Sequence, residues 1–340
     1  MNRDRLQELI GRFSRHRILV VGDFYLDAYW TVDQTKSTLS LETSWHNSPV
    51  VDQQYSPGAA GTVTNNLKAL GVGEVYTIGI IGEDGFGTTL IQELESRSCR
   101  TDFMVQTSER VTPTYLKPIY CGYEDIRMEA SRFDIENQTP TPLLLQNLLL
   151  TNLRRCLPMV NAVIIADQTP TDNLGGVTDL VRDHICHLAL QFPEKIFFAD
   201  SRTRIGKYQN LLVKPNRFEA IRAVQPEWSG TDLTVEEAKK IGTELQRQTN
   251  APLFITCGEN GILSFEDSDV QHAVGIAVDG PVDPVGAGDS VTAGLVSTLI
   301  SGGSMSEAAF IGNLVASITV AKIGTTGTAS PGEVIRQLSS

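Results

Sequence analysis

The chain has no apolar run near the roughly 20 residues that cross a bilayer, which excludes a spanning helix. It has no basic block either. Its 40 acidic and 28 basic residues leave a formal net charge of -12, so nucleic acid is excluded as a bulk partner. Cysteine is scarce. Cys99, Cys121, Cys156, Cys186 and Cys257 are odd in number, scattered and without a CxxC pair. That fits free thiols in a reducing, cytoplasmic setting better than a disulfide framework or a zinc site. Internal repeats and long low-complexity linkers are absent. Residues 1–16 are charged throughout, with Leu6, Leu9, Ile10 and Phe13 at helical spacing. They read as an amphipathic leading helix, not a signal peptide.

What remains is an ordinary globular composition, 41% hydrophobic and 20% charged. Short apolar runs at 18–21, 75–81, 163–166, 196–199, 211–213 and 253–256 predict buried strands. Helical patterns over 59–70, 86–97, 141–156, 172–190, 216–224 and 234–248 sit between several of them, and 287–300 and 305–321 close the chain. This is an α/β pattern: a parallel sheet covered on both faces, forming one domain over residues 1–340. Segments 29–56 and 109–136 lack helical periodicity, are rich in Thr, Ser, Tyr and Val, and read as extended excursions. The active site belongs along the strand carboxyl ends, where glycines and acids collect.

The most informative string is Asp283-Pro284-Val285-Gly286-Ala287-Gly288-Asp289. Two glycines let a ligand approach the backbone, and a helix start favours anions. An acid there would repel a phosphate unless Asp289 takes a proton from a substrate hydroxyl while the Gly286, Ala287 and Gly288 amides hold a transferring phosphoryl group. Alone, the string also fits a tight turn before a buried helix, with Asp289 as an N-terminal charge. Asn216 and Glu219 lie one helical turn apart just after a strand, suited to a hydrated Mg²⁺ or to a capping box, or to both. Lys214 before them would add a charge near phosphates. Thr256, Gly258 and Gly261 offer a hydroxyl and two close-approach positions for a nucleotide, or form a plain turn.

These strings resemble, in order, the signatures of the PfkB (ribokinase-like) carbohydrate kinases. They are Gly22 to Asp27, Pro57 to Thr62, Gly82 to Gly87, Asn216 to Glu219, Thr256 to Gly261 and Asp283 to Asp289. The resemblance runs from about Arg17 to about Pro331. Within the family, Gly22 to Trp30, Arg132-Phe133-Asp134 and Gly324-Thr325-Thr326 are most similar to heptose 7-phosphate kinases. It implies a ribokinase-like three-layer sandwich in which 29–56 and 109–136 pair into a small β-sheet lid. It implies ATP and Mg²⁺, with Asn313 flanking the adenine. It implies a sugar held by Asp27, Gly58, Ala59 and Thr62, with Arg132 or Arg202 on a sugar phosphate. It further implies a monovalent cation such as K⁺ at the Asp283 and Val285 carbonyls and the 323–328 loop, and a homodimer through the lid.

The sugar side departs from the pattern. Ala59 replaces a second glycine, and Thr62 stands where Asn is expected. Asn has longer reach and offers both a donor and an acceptor. The lid segment Leu39 to His46 lacks the Arg-Ile-Ser-Pro-Glu run of heptose kinases, Trp45 either stacks on a sugar or packs the lid, and His46 reads as a solvated loop residue. The expectation is therefore a sugar or sugar-phosphate kinase. A nucleoside kinase and a catalytically silent binding protein are the alternatives. The nucleotidyltransferase activity often fused to the heptose kinase is expected to be absent, since no second Gly-rich motif precedes Ser340.

Overall fold

In the computed structural model, which describes residues 1–124, 126–324 and 326–338, apolar runs become strands buried on both faces. The chain runs α1 (Arg3–Arg12), β1 (Arg17–Gly22), β2 (Phe24–Asp33), β3 (Val50–Ala59), α2 (Ala60–Ala69), β4 (Glu74–Ile78), β5 (Ile80–Gly82), α3 (Gly85–Ser96), β6 (Cys99–Arg100), β7 (Val105–Thr107) and β8 (Thr114–Cys121). It continues through β9 (Met128–Glu129), β10 (Phe133–Ile135), α4 (Leu143–Cys156), β11 (Ala162–Asp167), α5 (Asp179–Gln191), β12 (Ile196–Ser201), β13 (Leu212–Val213), α6 (Arg217–Val224) and α7 (Val235–Thr249). It closes with β14 (Leu253–Thr256), β15 (Ile262–Glu266), β16 (Asp269–Ala273), α8 (Ala287–Ile300), α9 (Met305–Thr319) and α10 (Pro331–Gln337).

The main sheet has the order β16-β15-β14-β13-β12-β11-β1-β4-β6. The seven strands from β14 to β6 are parallel, and β15 and β16 add an antiparallel edge. In β1, Ile18 and Val20 join the core under α1, α2, α8 and α9, while Leu19 and Val21 join the core under α4, α5, α6 and α7. The two-residue period of a strand thus serves both layers, so no polar residue interrupts the run. The α/β fold with a mostly parallel central sheet is as the sequence predicts. Strands β2, β3, β8 and β10 form a separate sheet in the order β10-β8-β2-β3, with β9 on β8. Among the described residues, no helix is long and apolar enough to cross a membrane.

Some elements differ from the sequence expectation. The strand over 75–81 breaks at Gly79, where a Cβ would lie 2.6 Å from the Phe24 ring and 2.9 Å from the Gly22 carbonyl oxygen. β5 then pairs with β7 in its own two-stranded sheet. The helix expected from 172 starts only at Asp179, capped by Thr178. Buried Asp23 is the reason: its carboxylate accepts the amides of Gln168, Thr169 and Gly176 at 2.7–2.8 Å, which holds 168–176 as a loop. The Gly82 to Gly87 signature is structural in the same sense. Asp84 caps α3 through Gly87 N–H at 2.7 Å and accepts Thr112 N–H at 2.9 Å. β15, β16 and α10 were not anticipated.

Candidate active site

The C-terminal signature makes a turn and then a helix. Ala287 N–H donates to the Pro284 carbonyl at 3.1 Å. Gly286 caps α8 at φ 77° and ψ 1°, a conformation that glycine adopts without steric cost. Space demands glycine as well, because a Cβ there would lie 2.5 Å from the Thr326 methyl and 3.3 Å from the Thr62 methyl. The turn corrects one expectation. The Ala287 amide is already bonded, so the donors without a partner among the described residues are Gly286, Gly288 and Asp289 N–H.

Lys214 reaches over this helix start. A Cβ on Gly288 would sit 3.8 Å from its Nζ. The ammonium is buried, 2.8 Å from Asp200 Oδ2, and Thr292 donates to the same oxygen at 3.1 Å. Burial opposes the charge on Lys214, but Asp200, Glu219 and Asp289 outweigh it and hold its pKa above the ordinary lysine value. Asp289 is half-buried with its carboxyl pushed up to about 7. Burial is the main cause and the Asp200 charge the next; Lys214 and Arg202 pull it down, and Asp27 pushes it up. The Asp27 charge on β2 is near enough to act on the α8 acid.

Asn216 and Glu219 form a complete capping box. Asn216 Oδ1 accepts Phe218 and Glu219 N–H at 2.9 Å, and Glu219 Oε2 accepts Asn216 N–H at 2.7 Å. The box leaves the Asn216 amide NH₂ and the second Glu219 oxygen without a hydrogen-bond partner among the described residues. Burial, then Asp200, pushes the Glu219 carboxyl up to about 7, while Lys214 and the Asn216 amide pull it down. Glu219, Asp289 and Asp200 thus share one lysine. Among the described residues no three His, Cys, Asp or Glu side chains are placed to hold a metal directly. The surplus negative charge of Glu219, Asp289 and Asp200 around one lysine suits a hydrated divalent cation.

Thr256 ends β14 beside Asn216, with its N–H on the Pro215 carbonyl at 3.0 Å. Gly258 has φ 61° and open space where a Cβ would go, so a ligand can reach its backbone. Gly261 does not serve that purpose. A Cβ there would strike the Ala273 carbonyl oxygen at 2.2 Å, so the protein's own backbone requires this glycine. Asn313 is also engaged: its NH₂ donates to the Ala273 and Val274 carbonyls at 2.8 and 3.1 Å, which ties the 273–274 segment to α9.

On β2, Asp27 Oδ1 lies 2.9 Å from Lys117 Nζ. Gly58 faces Asp27 Oδ2, and a Cβ there would come within 2.5 Å of it. Ala59 adopts φ 51° and ψ -117° as the residue before α2, a strained conformation for a residue with a Cβ. The Thr62 hydroxyl turns back to the Pro57 carbonyl at 3.5 Å. Arg132 is paired with Asp134 at 2.5 and 2.7 Å and stacks 4.0 Å over the Tyr115 ring. Arg202 is exposed at the end of β12, and its charge reaches Asp289, Glu219 and Tyr115. Trp45 and His46 lie exposed on the second sheet's connecting loop. Asp283 accepts Val285 N–H at 3.0 Å, and Thr325 of the expected cation loop lies outside the described residues.

Sequence reading missed Asp200 and Lys117. Asp200 carried a signal, an acid directly after an apolar strand at the sheet's carboxyl edge. Lys117 carried none, because only the pairing of β2 with β8 brings it to Asp27.

Known proteins resemble this chain in sequence and in fold. The chain is 30% identical to a D-β-D-heptose 7-phosphate kinase of Bordetella bronchiseptica, over 92% of this chain and 94% of that one. It is 26% identical to the bifunctional protein HldE of Helicobacter hepaticus over 91% of its own length, but spans only 61% of that relative. Among solved structures, ribokinase from Arabidopsis thaliana, in complex with ribose and ATP, matches with a TM-score of 0.68 at 16% identity, covering 96% of this chain and 99% of that one. Phosphofructokinase-2 from Escherichia coli matches at 0.67 and 16%, covering 95% and 98%. The family model for pfkB carbohydrate kinases matches residues 15–331, and the chain belongs to that family.

Proposed function

We propose that this protein transfers the γ-phosphoryl group of ATP to a hydroxyl of a sugar or sugar phosphate, with Asp289 as the base. The observation that carries this reading is the placement of a carboxyl with a pKa near 7 in the first turn of α8, at the helix start that the Lys214 ammonium approaches. A base titrating near neutrality is matched to its task. It accepts the acceptor hydroxyl proton as the new O–P bond forms, and the bond from the γ-phosphorus to the bridging oxygen breaks to release ADP. The Gly286, Gly288 and Asp289 amides and Lys214 stand where they would stabilise the charge on the moving group. When bound with the nucleotide, Mg²⁺ neutralises the phosphate oxygens. Glu219 would orient it through water, and Asn216 would fix Glu219 through the capping box. Thr256 and Gly258 line the nucleotide side, with Asn313 shaping the 273–274 wall.

Asp27, against Gly58, would hold sugar hydroxyls, with Ala59, Thr62 and Arg132 around them. The second sheet would act as a lid that excludes water from the transfer. The β3 edge and the exposed Leu41, Trp45 and Phe133 suit a homodimer through that sheet. The Asp283 and Val285 carbonyls would hold a monovalent cation such as K⁺. Five unpaired thiols suit the cytoplasm.

ADP release with a panel of sugars, sugar phosphates and nucleosides, with and without Mg²⁺ and K⁺, tests this. Turnover with a nucleoside alone would favour the nucleoside-kinase reading. No turnover with any acceptor would favour a silent binding protein.

A further inference from the structure

Arg110 is a buried cation without an acid. It is 7% exposed and forms no ion pair among the described residues. Its guanidinium donates to the Thr139 carbonyl at 2.6 Å and to the Leu174 carbonyl, both neutral. Burial holds its pKa below the ordinary arginine value, and no carboxylate offsets that. Buried charges are normally paired. The missing acid lines the same cavity. This small cavity opens where the second sheet leaves the main body, and its walls include Tyr25, Arg110, Pro113, Glu136, Thr169 and Gly176. About 30 Å³ of it admits the centre of a water molecule, room for about two waters. Glu136 follows β10 directly, is half-buried, and forms no ion pair among the described residues.

Two hydrogen bonds bring these residues alongside each other. Asn137 Oδ1 accepts Val111 N–H at 3.0 Å, and its NH₂ donates to the Val111 carbonyl at 2.9 Å. Arg110 and Glu136, one position earlier in each segment, therefore sit on neighbouring stretches of backbone. Yet the Glu136 charge acts on Tyr25 and Tyr115, not on Arg110. Both tyrosines share the Asp27 face of the second sheet, since Tyr25 is two residues from Asp27 and Tyr115 is its β8 partner. An acceptor beside Asp27 covers that face and removes water from Glu136. A carboxylate that loses its water needs a partner. Arg132 is held by Asp134. Arg202 forms no ion pair among the described residues, but it is exposed, so pairing would strip it of water too. Arg110 is already stripped, so a pair with it needs the least new desolvation. Such a pair joins the segment leading into β8 to the segment leaving β10, beside the loop that Asp23 holds.

We propose that Glu136 turns onto Arg110 when an acceptor fills the cleft, and that this pair holds the second sheet closed. Both are positioning residues, and their role rests on the kinase reading of that cleft. The test is a double-mutant cycle of Arg110→Gln, Glu136→Gln and the double variant. It uses the sugar, sugar phosphate or nucleoside with the highest kcat/KM, or the tightest binder if none turns over. Gln at position 110 can still donate to a carbonyl. Calorimetry with an ATP analogue present gives acceptor affinity, and hydrogen exchange of the 24–33 and 114–121 amides reads closure. Each single variant should weaken acceptor binding by about tenfold, and the double variant by about the same tenfold, not a hundredfold. The protection that the acceptor brings to those amides should fall in all three. Without acceptor, Glu136→Gln should leave urea stability unchanged, because the pair has not formed. Unchanged affinity for the ATP analogue shows that the variants are folded. Arg110→Lys keeps the charge and should keep most of the affinity, but only while Glu136 is present. Losses that multiply overturn the proposal. So does a wild type whose amides gain no protection from acceptor, or coupling of Glu136→Gln to Arg202→Gln in place of Arg110→Gln. ADP release with an uncoupled cycle leaves the kinase reading standing and removes the pair. A coupled cycle on a bound acceptor that never drives ADP release does the reverse. If no member of the panel binds, both fall.

Discussion

Lys214 Nζ lies 2.8 Å from Asp200 Oδ2, and this pair joins the residue after β13 to the carboxyl end of β12. Among the described residues, the lysine is the one cation bonded within a group of carboxyls that also includes Glu219 and Asp289. Asp200 fixes where its ammonium points and, by its own charge, holds the other two carboxyls up. The pair therefore links the position of the proposed phosphoryl-binding charge to the protonation of the proposed base.

Asp289→Asn keeps the size of the side chain but cannot accept a proton. Turnover should fall by about 10² or more while an ATP analogue binds normally. Stability should move the other way. The folded pKa of Asp289 is raised, so its ionisation costs stability as pH rises from the ordinary carboxylate range through about 7. In Mg²⁺-free buffer at pH 8 the variant should be more stable than the wild type by about 1–3 kcal/mol, and the gain should vanish near pH 4. Parallel denaturant titrations at both pH values check this.

The acid limb of kcat/KM should have a midpoint near pH 7, set by Asp289. Asp200→Asn removes a charge that raises that carboxyl and frees Lys214 to pair with it, while Asn can still accept from Thr292. The midpoint should move to lower pH. A limb that stays in place would separate Asp200 from the base.

Glu219→Gln retains a side chain able to complete the capping box. Helix α6 should remain, so thermal unfolding should change little, while the Mg²⁺ concentration for half-maximal turnover rises and turnover falls. An unchanged Mg²⁺ titration would remove Glu219 from the metal site.

Ala59→Gly relieves a backbone conformation that costs about 1–3 kcal/mol for a residue with a Cβ. The greater unfolded freedom of glycine offsets part of the gain. The variant should be more stable by about 1 kcal/mol in urea unfolding. A loss of stability would mean that the Ala59 methyl contributes packing that outweighs the strain.

Gly58→Ala places a methyl 2.5 Å from the original position of Asp27 Oδ2 and must displace the carboxylate. The acceptor KM should rise about tenfold or more, with nucleotide affinity unchanged. Equal losses for both ligands would indicate a folding defect.

The chain's own periodicity determined the layers. Continuous apolar runs such as 18–21 and 163–166 can be buried only on two faces, and helical spacing elsewhere supplied the covers. Local chemistry placed Gly286, Asp289, Asn216 and Glu219 at helix starts, because caps, turns and glycine conformations depend on near neighbours. Tertiary structure decided what depends on residues far apart in the chain. Asp23 melts the start of an expected helix by taking three amides some 145–153 positions away. Gly261 answers to Ala273 across a strand pair, not to a ligand. Lys117 meets Asp27 only because β2 and β8 pair in parallel, and Asp200 meets Lys214 only because β12 and β13 lie side by side. Sequence spacing carries no record of such meetings, since the charges involved are set by through-space distance and burial, which exist only once the sheets have formed.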